Sequence, residues 1–578
     1  MQTHLSSKDT LGPFHLNIGT MLIENGHKFA SAHAFGERDK EVYRYWTWQQ
    51  LSADIVAFAC YLKTEGFKSG DKIALVSSNS YYRLVCEMAV MASGMVAVPI
   101  FPGYPFELMG QLIEFADCNL LIVEGQEKIA TLGNFGGKYL PKKIIEIRQV
   151  PVLLKTDFSS LQEEILRQWQ AVLPQERCLI MFTSGTTTFP KGVMLTHRNI
   201  LSQQKSNEQL WKLNSGLRFL CYLPWHHSFG GLFERFLVLS SGGMLAIDDS
   251  LGRDVNRLLE NWALIKPHIY FSVPRVYQEI VASVLSNPEQ ARNFFHPELK
   301  FVFTAAAPLP LSTSNIFKEK NIPVVEGWGL TETSPCCTLT AQSLDRTPGI
   351  VGWPIPEVQV KLAEEQEICV KGPNVMQGYY KLPEVTAKVI DSEGWFHTGD
   401  VGEITSEGLR IISRLDRIFK LSNAEKVFPV AMEEKATKRC NYIKYIYVFG
   451  SGGPAPLGLV FPNLLLLQAK QVDIAECVRP QSCATLSDCL KQCICEINEY
   501  HDVKYERLSK VLVINRELSI EKEELTPSMK LVPRIIERNF KKYIDFLRTG
   551  SGKMPPTDSY LIELTERSTY GTYNGTHK

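Results

Sequence analysis

The greater part of the sequence alternates short, continuous apolar segments with stretches whose apolar residues recur at helical spacing. Lys72–Val76, 96–100 and 178–182 have the length and composition of strands that are buried on both faces. Between the first two lies a predicted helix, Tyr81–Ala92, and before them Leu51–Leu62 has apolar residues at helical spacing. Because neighbouring parallel strands require a crossover between them, this alternation predicts an α/β fold with mixed or parallel sheets.

The pattern changes after Asp400, where shorter segments follow one another closely. Strands are predicted at 408–412, 418–420, 445–449, 457–460 and 510–514, and helices at 430–438, 486–500 and 533–546. We therefore predict a large amino-terminal domain of several subdomains at 1–414 and a smaller α+β domain at 415–548. Gly, Ser, Thr, Pro and Tyr are frequent after Thr549, so 549–578 is predicted to be a flexible tail.

The charges of the chain are balanced, since it has 62 Lys and Arg residues and 62 Asp and Glu residues. A protein that binds nucleic acid through its phosphates would need an excess of positive charge, so we expect no nucleic-acid partner. Residues 1–13 lack the apolar stretch of a secretory signal, and the apolar run at 88–99 is shorter than the ~20 residues of a membrane span. The 14 cysteines have no spacing typical of a secreted disulfide framework. These features predict a cytoplasmic protein, and a local surface patch would still allow peripheral membrane association.

The segment F-T-S-G-T-T-T-F-P-K-G at 182–192 directly follows a predicted strand. It concentrates five hydroxyl side chains, two glycines and Lys191 in eleven positions. Hydroxyl groups and backbone N–H groups in such a loop can surround phosphate oxygens, and the lysine adds positive charge. The loop is not a Walker A motif, because Lys191 is followed by glycine instead of Ser or Thr. Taken alone, the composition is also compatible with a surface turn rich in Ser and Thr.

Five further segments follow this loop in a fixed order. They are P-W-H-H-S-F-G at 224–230, E-G-W-G-L-T-E-T at 326–333, G-W-F-H-T-G-D at 394–400, R-L-D at 414–416 and E-L-T-P-S-M-K at 524–530. Together, the six segments resemble the ordered motifs of the acyl-adenylate-forming superfamily of AMP-binding enzymes. The last segment is similar to the lysine segment of long-chain fatty acyl-CoA synthetases. The resemblance extends from about Trp48 to Phe546.

The resemblance implies a two-step reaction. A carboxylic acid attacks the α-phosphate of ATP to give acyl-AMP and pyrophosphate, and CoA then displaces AMP to give acyl-CoA. ATP, Mg²⁺ and CoA are the implied ligands, and a long-chain fatty acid is the implied substrate. Two alternatives stay open: an acyl-AMP ligase that passes the acyl group to a carrier protein or another acceptor, and a degenerate homologue that binds without turnover.

The resemblance also assigns nucleotide contacts to individual residues. These positions are Thr183, Ser184, Gly185, Thr186, Thr187, Lys191, Gly327, Trp328, Gly329, Asp400, Arg414 and Asp416. Trp328 offers a flat face to adenine, and Asp400 can accept hydrogen bonds from both ribose hydroxyls. Thr186 and Glu332 are the implied ligands of Mg²⁺, which prefers hard oxygen donors.

The resemblance also implies that five residues take part in catalysis or lie directly beside the reacting groups. They are Lys530, Glu332, Thr331, His227 and Lys420. Lys530 would bridge the substrate carboxylate and the α-phosphate, to which Thr331 would donate a hydrogen bond. His227 would lie near the acyl carboxylate, although a histidine in an apolar segment can also be a hydrogen-bonded core residue. Lys420 would face the site in the second step, after the small domain has rotated about Asp416.

Four positions depart from the family pattern. Thr188 and Ala424 occupy positions where the family has glycine, and Ala305–Ala307 lies where the family commonly has two glycines. A residue with a Cβ is disfavoured where the backbone has positive φ, so an altered phosphate loop and an altered CoA-facing loop are expected. Pro533 interrupts the basic run that often follows the lysine and is expected to shift the last helix.

Overall fold

The computed structural model describes residues 3–133, 140–183, 189–213, 215–305, 309–347, 349–440, 442–464, 486–499, 504–526, 529–549 and 558–564. The chain divides into two compact units. The first consists of Met1–Thr398 with Gly402–Ile411, and the second of Gly399–Val401 with Ile412–Lys578. Among the described helices, none has the length and apolar character needed to cross a membrane.

Strands and helices alternate along most of the described chain, which confirms the predicted α/β class. The strands are β1 His4–Ser6, β2 His33–Asp39, β3 Val42–Thr47, β4 Lys72–Val76, β5 Val96–Pro99, β6 Cys118–Val123, β7 Lys143–Glu146, β8 Arg177–Thr183, β9 Lys191–Thr196, β10 Arg218–Cys221, β11 Met244–Ile247, β12 Ile269–Ser272, β13 Phe301–Thr304, β14 Val324–Trp328, β15 Thr338–Leu339, β16 Ile350–Pro354, β17 Gln359–Leu362, β18 Glu367–Lys371, β19 Gly378–Tyr379, β20 Phe396–Thr405, β21 Gly408–Arg414, β22 Phe419–Lys420, β23 Lys426–Val427, β24 Ile443–Phe449, β25 Leu457–Pro462, β26 Lys510–Ile514 and β27 Ser559–Glu563.

The α-helices occupy the connections between these strands. Their bounds are Ile18–Lys28, Trp48–Thr64, Tyr81–Ala92, Phe106–Phe115, Gln126–Gly133, Val150–Leu153, Ser159–Ala171, His197–Trp211, Arg235–Ser240, Val255–Ile265, Pro274–Ser286, Pro288–Phe294, Leu311–Glu319, Pro383–Val389, Pro429–Arg439, Leu486–Glu499, Pro533–Asn539 and Lys541–Thr549. The strand Lys72–Val76 and the helix Tyr81–Ala92 have the predicted bounds. The alternation of strands and helices read from the sequence therefore located both elements correctly.

A seven-stranded sheet in the first unit has the order β19-β9-β8-β5-β4-β6-β7. The five strands from β8 to β7 are parallel, whereas β9 and β19 are antiparallel to their neighbours. Both faces of β4 and β5 are buried, which accounts for their continuous apolar sequences. The turn between β8 and β9 therefore lies at the carboxyl end of the parallel strand β8, where open α/β sheets commonly bind ligands.

A ten-stranded sheet has the order β1-β17-β18-β20-β21-β16-β15-β14-β13-β12. Strands β12, β13 and β14 are parallel, and the chain turns back antiparallel into β15 and β16. The segment Gly329–Thr333 therefore follows the carboxyl end of a buried parallel strand. A third sheet, β10-β11-β2-β3, completes the strands of the first unit.

Three buried charged side chains connect the helix Tyr81–Ala92 to the helix Arg235–Ser240. Glu87 Oε1 lies 2.7 Å from Arg235 Nη2, and Glu87 Oε2 lies 3.5 Å from Arg83 Nε. All three side chains are completely buried. Burial raises the pKa of Glu87, but the charges and hydrogen bonds of Arg235 and Arg83 outweigh this effect and hold it below its ordinary value. Glu87 is therefore ionised in the core.

The second unit contains a four-stranded sheet of order β24-β25-β26-β27. The helix predicted at 533–546 is instead two helices, Pro533–Asn539 and Lys541–Thr549, with Phe540 between them. Pro533 is the first residue of its helix, a position where proline costs no hydrogen bond. The prediction of a flexible tail is wrong for Ser559–Glu563, which forms β27 and pairs antiparallel with β26. Its Tyr-Leu-Ile sequence has high strand propensity, which the surrounding small and polar residues obscured.

Candidate functional site

The β8–β9 hairpin places the ends of the predicted phosphate loop side by side. Thr183 is the last residue of β8 and pairs with Lys191, the first residue of β9. The tip of the loop, with Ser184, Gly185, Thr186, Thr187 and the unusual Thr188, lies outside the described residues. The described part therefore fixes where the loop leaves and re-enters the sheet.

Tyr379 links Lys191 to Glu332. The Lys191 Nζ atom lies 5.0 Å from the centre of the Tyr379 ring, within the range of a cation–π interaction. On its other side, the Tyr379 hydroxyl donates a 2.8 Å hydrogen bond to Glu332 Oε1. Strand β19 brings Tyr379 there because it pairs with β9, Tyr379 being opposite Val193. The structure thus brings together a cation from the phosphate loop and a buried carboxylate from a distant motif.

The turn that contains Thr331 and Glu332 is held by Asn374. Thr331–Thr333 is a single 3-10 turn, and Glu332 and Thr333 are buried. The Asn374 side chain donates to the Thr333 and Cys336 carbonyls at 3.1 and 2.9 Å. In addition, the Met376 amide donates to the Glu332 carbonyl at 2.9 Å. Because these partners belong to the packed interior, the carboxylate is held in a fixed position.

Gly329 lies against the backbone that follows this turn. A Cβ atom at position 329 would collide with the Pro335 carbonyl oxygen, so only glycine fits. Gly327 is in β14 and packs against Phe303 and Leu339. Between them, the half-buried Trp328 ends β14, and its carbonyl accepts a 2.8 Å hydrogen bond from the Cys337 amide. The segment that is predicted to contact adenine is therefore a tightly packed strand end.

Ser228, the residue that follows His227, contacts the Thr331 turn. The Thr331 hydroxyl donates to the Ser228 hydroxyl at 3.1 Å, so the segments around 228 and 331 meet. His227 Nδ1 accepts a 3.3 Å hydrogen bond from the Phe229 amide, and the His227 carbonyl accepts one from Gly231 at 2.8 Å. This local pattern leads into the π-helical turn Phe229–Glu234. Such turns are rare in proteins and are frequent at functional sites.

His226 is packed behind this segment. Its ring lies 4.6 Å from that of Phe101, and desolvation, with smaller contributions from Arg83 and His227, lowers its pKa well below the ordinary value. A neutral, buried ring agrees with a structural part for His226. Glu234 is also completely buried, and burial raises its pKa well above the ordinary value. Its carboxyl group therefore favours the neutral form.

A buried ion pair connects Glu326, in the middle of β14, with Leu309. Arg346 Nη2 lies 2.6 Å from Glu326 Oε1, and both side chains are almost fully buried. Arg346 also donates to the Leu309 carbonyl at 3.1 Å, while the Leu309 amide donates to Glu326 Oε1 at 3.1 Å. Leu309 ends the segment with the unusual alanines, of which 306–308 lie outside the described residues. Arg346 thus links the adenine segment of β14 to the segment with the unusual alanines.

In the second unit, Asp400 and Arg414 form an ion pair. Arg414 Nη1 donates to Asp400 Oδ1 at 2.7 Å, and Arg414 Nε lies 3.8 Å from Asp416 Oδ1. Asp400 is buried, Arg414 is partly exposed and Asp416 is exposed. Asp416 is in the 3-10 turn Leu415–Arg417. The three residues that the resemblance assigns to ribose and hinge are therefore neighbours in space.

The Lys530 turn is closed by its own backbone and by Thr526. The Thr526 amide donates to the Lys530 carbonyl at 2.8 Å, and the Lys530 amide donates to the Thr526 hydroxyl at 3.0 Å. Although the residue as a whole is exposed, desolvation of the ammonium group lowers the pKa of Lys530. Asp400 and Glu434 act against this shift, and Arg414 adds to it. Lys530 is therefore within electrostatic range of the Asp400–Arg414 pair.

Glu524 anchors the start of this turn. Its buried carboxylate accepts hydrogen bonds from Arg516 Nη1 and Asn539 Nδ2, both at 3.0 Å. Burial raises the pKa of Glu524, but the Arg516 and Asn539 hydrogen bonds and the Arg516 charge hold it below the ordinary value. The first residue of the lysine segment is thus a fixed anion in the small unit.

Lys420 is exposed in the short β22–β23 hairpin, where it pairs with Lys426. Ala424, in the turn of this hairpin, has a φ of 67°. The left-handed conformation that the family fills with glycine is therefore retained here by alanine.

Four supporting residues escaped the sequence analysis: Tyr379, Asn374, Arg346 and Arg516. Each makes its contact across a long sequence separation or from a segment without a motif. Only Tyr379 has a sequence signal beside it, the glycine at position 378, and that glycine adopts a positive φ of 137°. Sequence spacing alone gives no means of pairing these residues with their partners.

Two family models match this chain, and their matches include residues of both units. The family model for AMP-binding enzyme matches residues 24–380, and the model for the AMP-binding enzyme C-terminal domain matches residues 416–549. Together, they include four of the six motifs, while 394–400 and most of 414–416 lie between the two matched ranges.

Relatives align along most of their own length. The chain is 25% identical to probable acyl-activating enzyme 16, chloroplastic, of Arabidopsis thaliana, covering 90% of this chain and 88% of the relative. It is 27% identical to long-chain-fatty-acid–CoA ligase 5 of Rattus norvegicus, covering 85% and 82%. It is 26% identical to long-chain-fatty-acid–CoA ligase 1 of Homo sapiens, covering 73% and 70%.

Solved structures share the fold. O-succinylbenzoate coenzyme A synthetase of Bacillus subtilis in complex with AMP is similar with a TM-score of 0.71 at 18% identity, covering 90% of this chain and 98% of that one. ATP-bound MatB of Rhodopseudomonas palustris is similar with a TM-score of 0.71 at 19% identity, covering 91% and 99%.

We predict that Ala424→Gly stabilises the second unit. An L-residue in the left-handed region costs about 1–2 kcal/mol, and the extra backbone entropy of glycine in the unfolded chain offsets about half of this gain. The expected increase in the free energy of unfolding is about 0.5–1 kcal/mol, measured by urea denaturation of the full chain. The neighbouring exposed Ser422, whose φ is not positive, provides the control Ser422→Gly, which should not stabilise. An Ala424→Gly protein no more stable than the parent would contradict the assigned strain.

Proposed function

Because this chain belongs to the family of AMP-binding enzymes, as its motifs predicted, we propose that it activates a long-chain fatty acid with ATP and transfers the acyl group to CoA. The observation that supports this proposal most directly is the Lys191–Tyr379–Glu332 array at the carboxyl ends of β8 and β14. It combines a cation, an aromatic hydroxyl and a buried carboxylate beside the phosphate loop. The phosphates of a nucleoside triphosphate require such a cation, and the accompanying metal ion requires such a carboxylate.

In the first step, a carboxylate oxygen of the acid attacks the α-phosphorus of ATP, and pyrophosphate leaves. The attack builds negative charge on the phosphate oxygens, so positioned donors and cations lower the barrier. Lys191 is proposed to hold the β- and γ-phosphates. The Thr331 hydroxyl, which donates to Ser228 in this structure, is proposed to turn and donate to the α-phosphate when ATP binds. Its contact with Ser228 directs Thr331 towards the segment of His227, where the carboxylate is proposed to lie.

Glu332 fits the part of a Mg²⁺ ligand. Its carboxylate is buried, and Oε1 is occupied by the Tyr379 hydroxyl, which leaves Oε2 as the oxygen that could face a cation. A hard carboxylate oxygen in a fixed position is the donor that Mg²⁺ prefers. Bound Mg²⁺ would neutralise charge on the phosphate oxygens of ATP. Thr186, the second proposed ligand, lies outside the described residues.

Lys530 is proposed to supply the charge that the adenylation transition state needs. Its neighbours Asp400 and Arg414 are the residues proposed to bind ribose, so the ammonium group lies in a part of the small unit that would recognise AMP. In the second step, the CoA thiolate attacks the acyl carbonyl carbon and AMP leaves. Lys420, an exposed residue that ends β22, is proposed to assist only this step.

The substrate class rests on the relatives and on the packing around the acyl segment. Two relatives that align over most of this chain are named long-chain-fatty-acid–CoA ligases. Phe229 and Phe233, which follow His227, pack against Phe271 and Phe303 with ring centres 4.9 to 5.9 Å apart. Each methylene of an acid that was buried beside such side chains would contribute about 0.8 kcal/mol, so a site lined by this segment would favour an apolar acid over acetate. The cytoplasmic location and peripheral membrane contact expected from the sequence stay predictions.

The proposed function is tested with saturated acids of increasing chain length. We expect ATP–pyrophosphate exchange and thioester formation with CoA to rise together as the chain lengthens, reaching a maximum with long-chain acids. Exchange without thioester would indicate the alternative acceptor, and a maximum with short acids would overturn the substrate class. Absence of exchange with every acid would indicate a binding protein without turnover.

The two lysines should separate the two steps. Lys530→Ala is expected to lower ATP–pyrophosphate exchange by about 10²–10³-fold, because a preorganised charge at the reacting atoms is lost. Lys420→Ala is expected to leave exchange near its original rate and to slow thioester formation by about tenfold, equivalent to about 1.4 kcal/mol in the barrier. If Lys530→Ala and Lys420→Ala lowered ATP–pyrophosphate exchange equally, the assignment of the two lysines to different steps would be refuted.

Tyr379→Phe should weaken the response to Mg²⁺. Loss of the hydroxyl frees the Glu332 carboxylate to move, and loss of such an outer partner typically costs about 10–100-fold in metal affinity. We therefore expect the Mg²⁺ concentration for half-maximal exchange to rise by about that factor. The control is Tyr380→Phe, because the Tyr380 hydroxyl binds Asp117 at 2.7 Å on an exposed surface, away from Glu332. Identical Mg²⁺ dependence of the two variants would exclude the proposed role of Tyr379.

A further inference from the structure

Three side chains with metal-binding atoms meet on one face of the ten-stranded sheet. Glu367 and Cys369 are two residues apart on β18, so they lie on the same face, and His397 is on the adjacent strand β20. His397 Nδ1 lies 2.8 Å from Glu367 Oε2 and 3.4 Å from Cys369 Sγ. All three ligand atoms are within 4.8 Å of one another. None of these residues has a part in the proposed adenylation.

The chemical types of these atoms point to a particular class of cation. An imidazole nitrogen, a thiolate sulfur and a carboxylate oxygen are the three ligand types of Zn²⁺ and of the divalent ions that replace it. Mg²⁺, in contrast, prefers oxygen donors only. One ring nitrogen faces both the carboxylate and the sulfur, and a single ion could bind all three atoms at once.

Asp391 supports the imidazole from its other side. Asp391 Oδ2 lies 3.6 Å from His397 Nε2. Its partner oxygen Oδ1 is held by the Glu393 and Trp395 amides at 3.0 and 2.9 Å. A carboxylate on the outer nitrogen of a ligating histidine orients the ring and leaves the inner nitrogen for the metal. Nδ1, the nitrogen that faces Glu367 and Cys369, is the inner nitrogen here.

The cluster is rigid on one side and accessible on the other. Cys369 is completely buried within the sheet. The side chains of His397 and Glu367 are 31% and 16% exposed, which gives an ion a path from solvent. Lys361 is opposite Cys369 on β17, but its Nζ lies 4.4 Å from the Trp395 ring, so its charge is directed onto the aromatic face. A thiolate and the Glu367 carboxylate would balance the two charges of the ion.

We propose that Glu367, Cys369 and His397 bind a divalent transition-metal ion of the Zn²⁺ type, with Asp391 orienting the histidine and water completing the coordination. Such an ion ties β18 to β20 at the start of the strand that continues to Asp400. It is a structural site, separate from the Glu332 carboxylate.

Co²⁺ tests this proposal, because its bond to a thiolate gives a charge-transfer absorption band that oxygen and nitrogen ligands do not give. Full-length protein is freed of metal with a chelator and titrated with Co²⁺ in the absence of ATP and Mg²⁺. We expect a thiolate band that saturates at one equivalent, disappears on addition of Zn²⁺ and persists in excess Mg²⁺.

Variants identify the ligands. Cys369→Ser should abolish the band, whereas Cys118→Ser, which alters a partly buried cysteine on β6, should retain it. Glu367→Gln keeps the thiol and should weaken Co²⁺ binding at least tenfold, which tests the site even if Cys369→Ser does not fold. Asp391→Asn should weaken binding by about 10–100-fold. The proposal is overturned if saturating Co²⁺ gives no thiolate band, if the band survives in Cys369→Ser, or if Glu367→Gln binds Co²⁺ as tightly as the parent.

Discussion

Two buried guanidinium groups depend on a single carboxylate, that of Glu87. Arg235 begins the helix that follows the π-helical turn, and Arg83 belongs to the helix that crosses from β4 to β5. Both guanidinium carbons lie over the Trp225 ring, at 5.1 and 5.9 Å. Removing one partner of a buried ion pair typically costs about 3–5 kcal/mol, because the remaining charge is left without solvent or counterion. Glu87 therefore fixes the segment of His227 relative to the seven-stranded sheet, and the geometry of the proposed acyl site follows from this contact.

The architecture was predictable wherever local periodicity and burial agree. Ile73–Val76 is continuously apolar because both faces of its sheet are covered. Tyr81–Ala92 connects β4 to the parallel strand β5 and has the length of a crossover helix. The prediction failed at Phe540, where a continuous helical pattern is interrupted, and at Ser559–Glu563. That strand is stable only because β26 offers a partner, and the identity of a partner is tertiary information that no local pattern contains.

The motifs named the residues of the candidate site, but they did not name the residues that position them. Glu332 was predictable from E-G-W-G-L-T-E-T, whereas its partner Tyr379 is separated from it by 47 positions. Arg346 and Glu326 are only 20 positions apart, yet a single arginine in a polar stretch is no different in sequence from many exposed arginines. Recognition motifs report the residues that touch a ligand. The supporting contacts are set by packing between segments that are distant in sequence.

The pairing of β27 with β26 has a consequence for the solubility of the chain. Strand β26 is the sequence K-V-L-V-I, with four of its five residues buried, and β27 is the outermost strand on that side of the sheet. A protein ending before Ser559 would present the N–H and C=O groups of β26 to other chains, beside a row of branched apolar side chains. Unprotected edges of this kind are templates for intermolecular pairing. A stretch that resembles a dispensable tail by composition therefore acts as the cover that keeps the small unit from self-association.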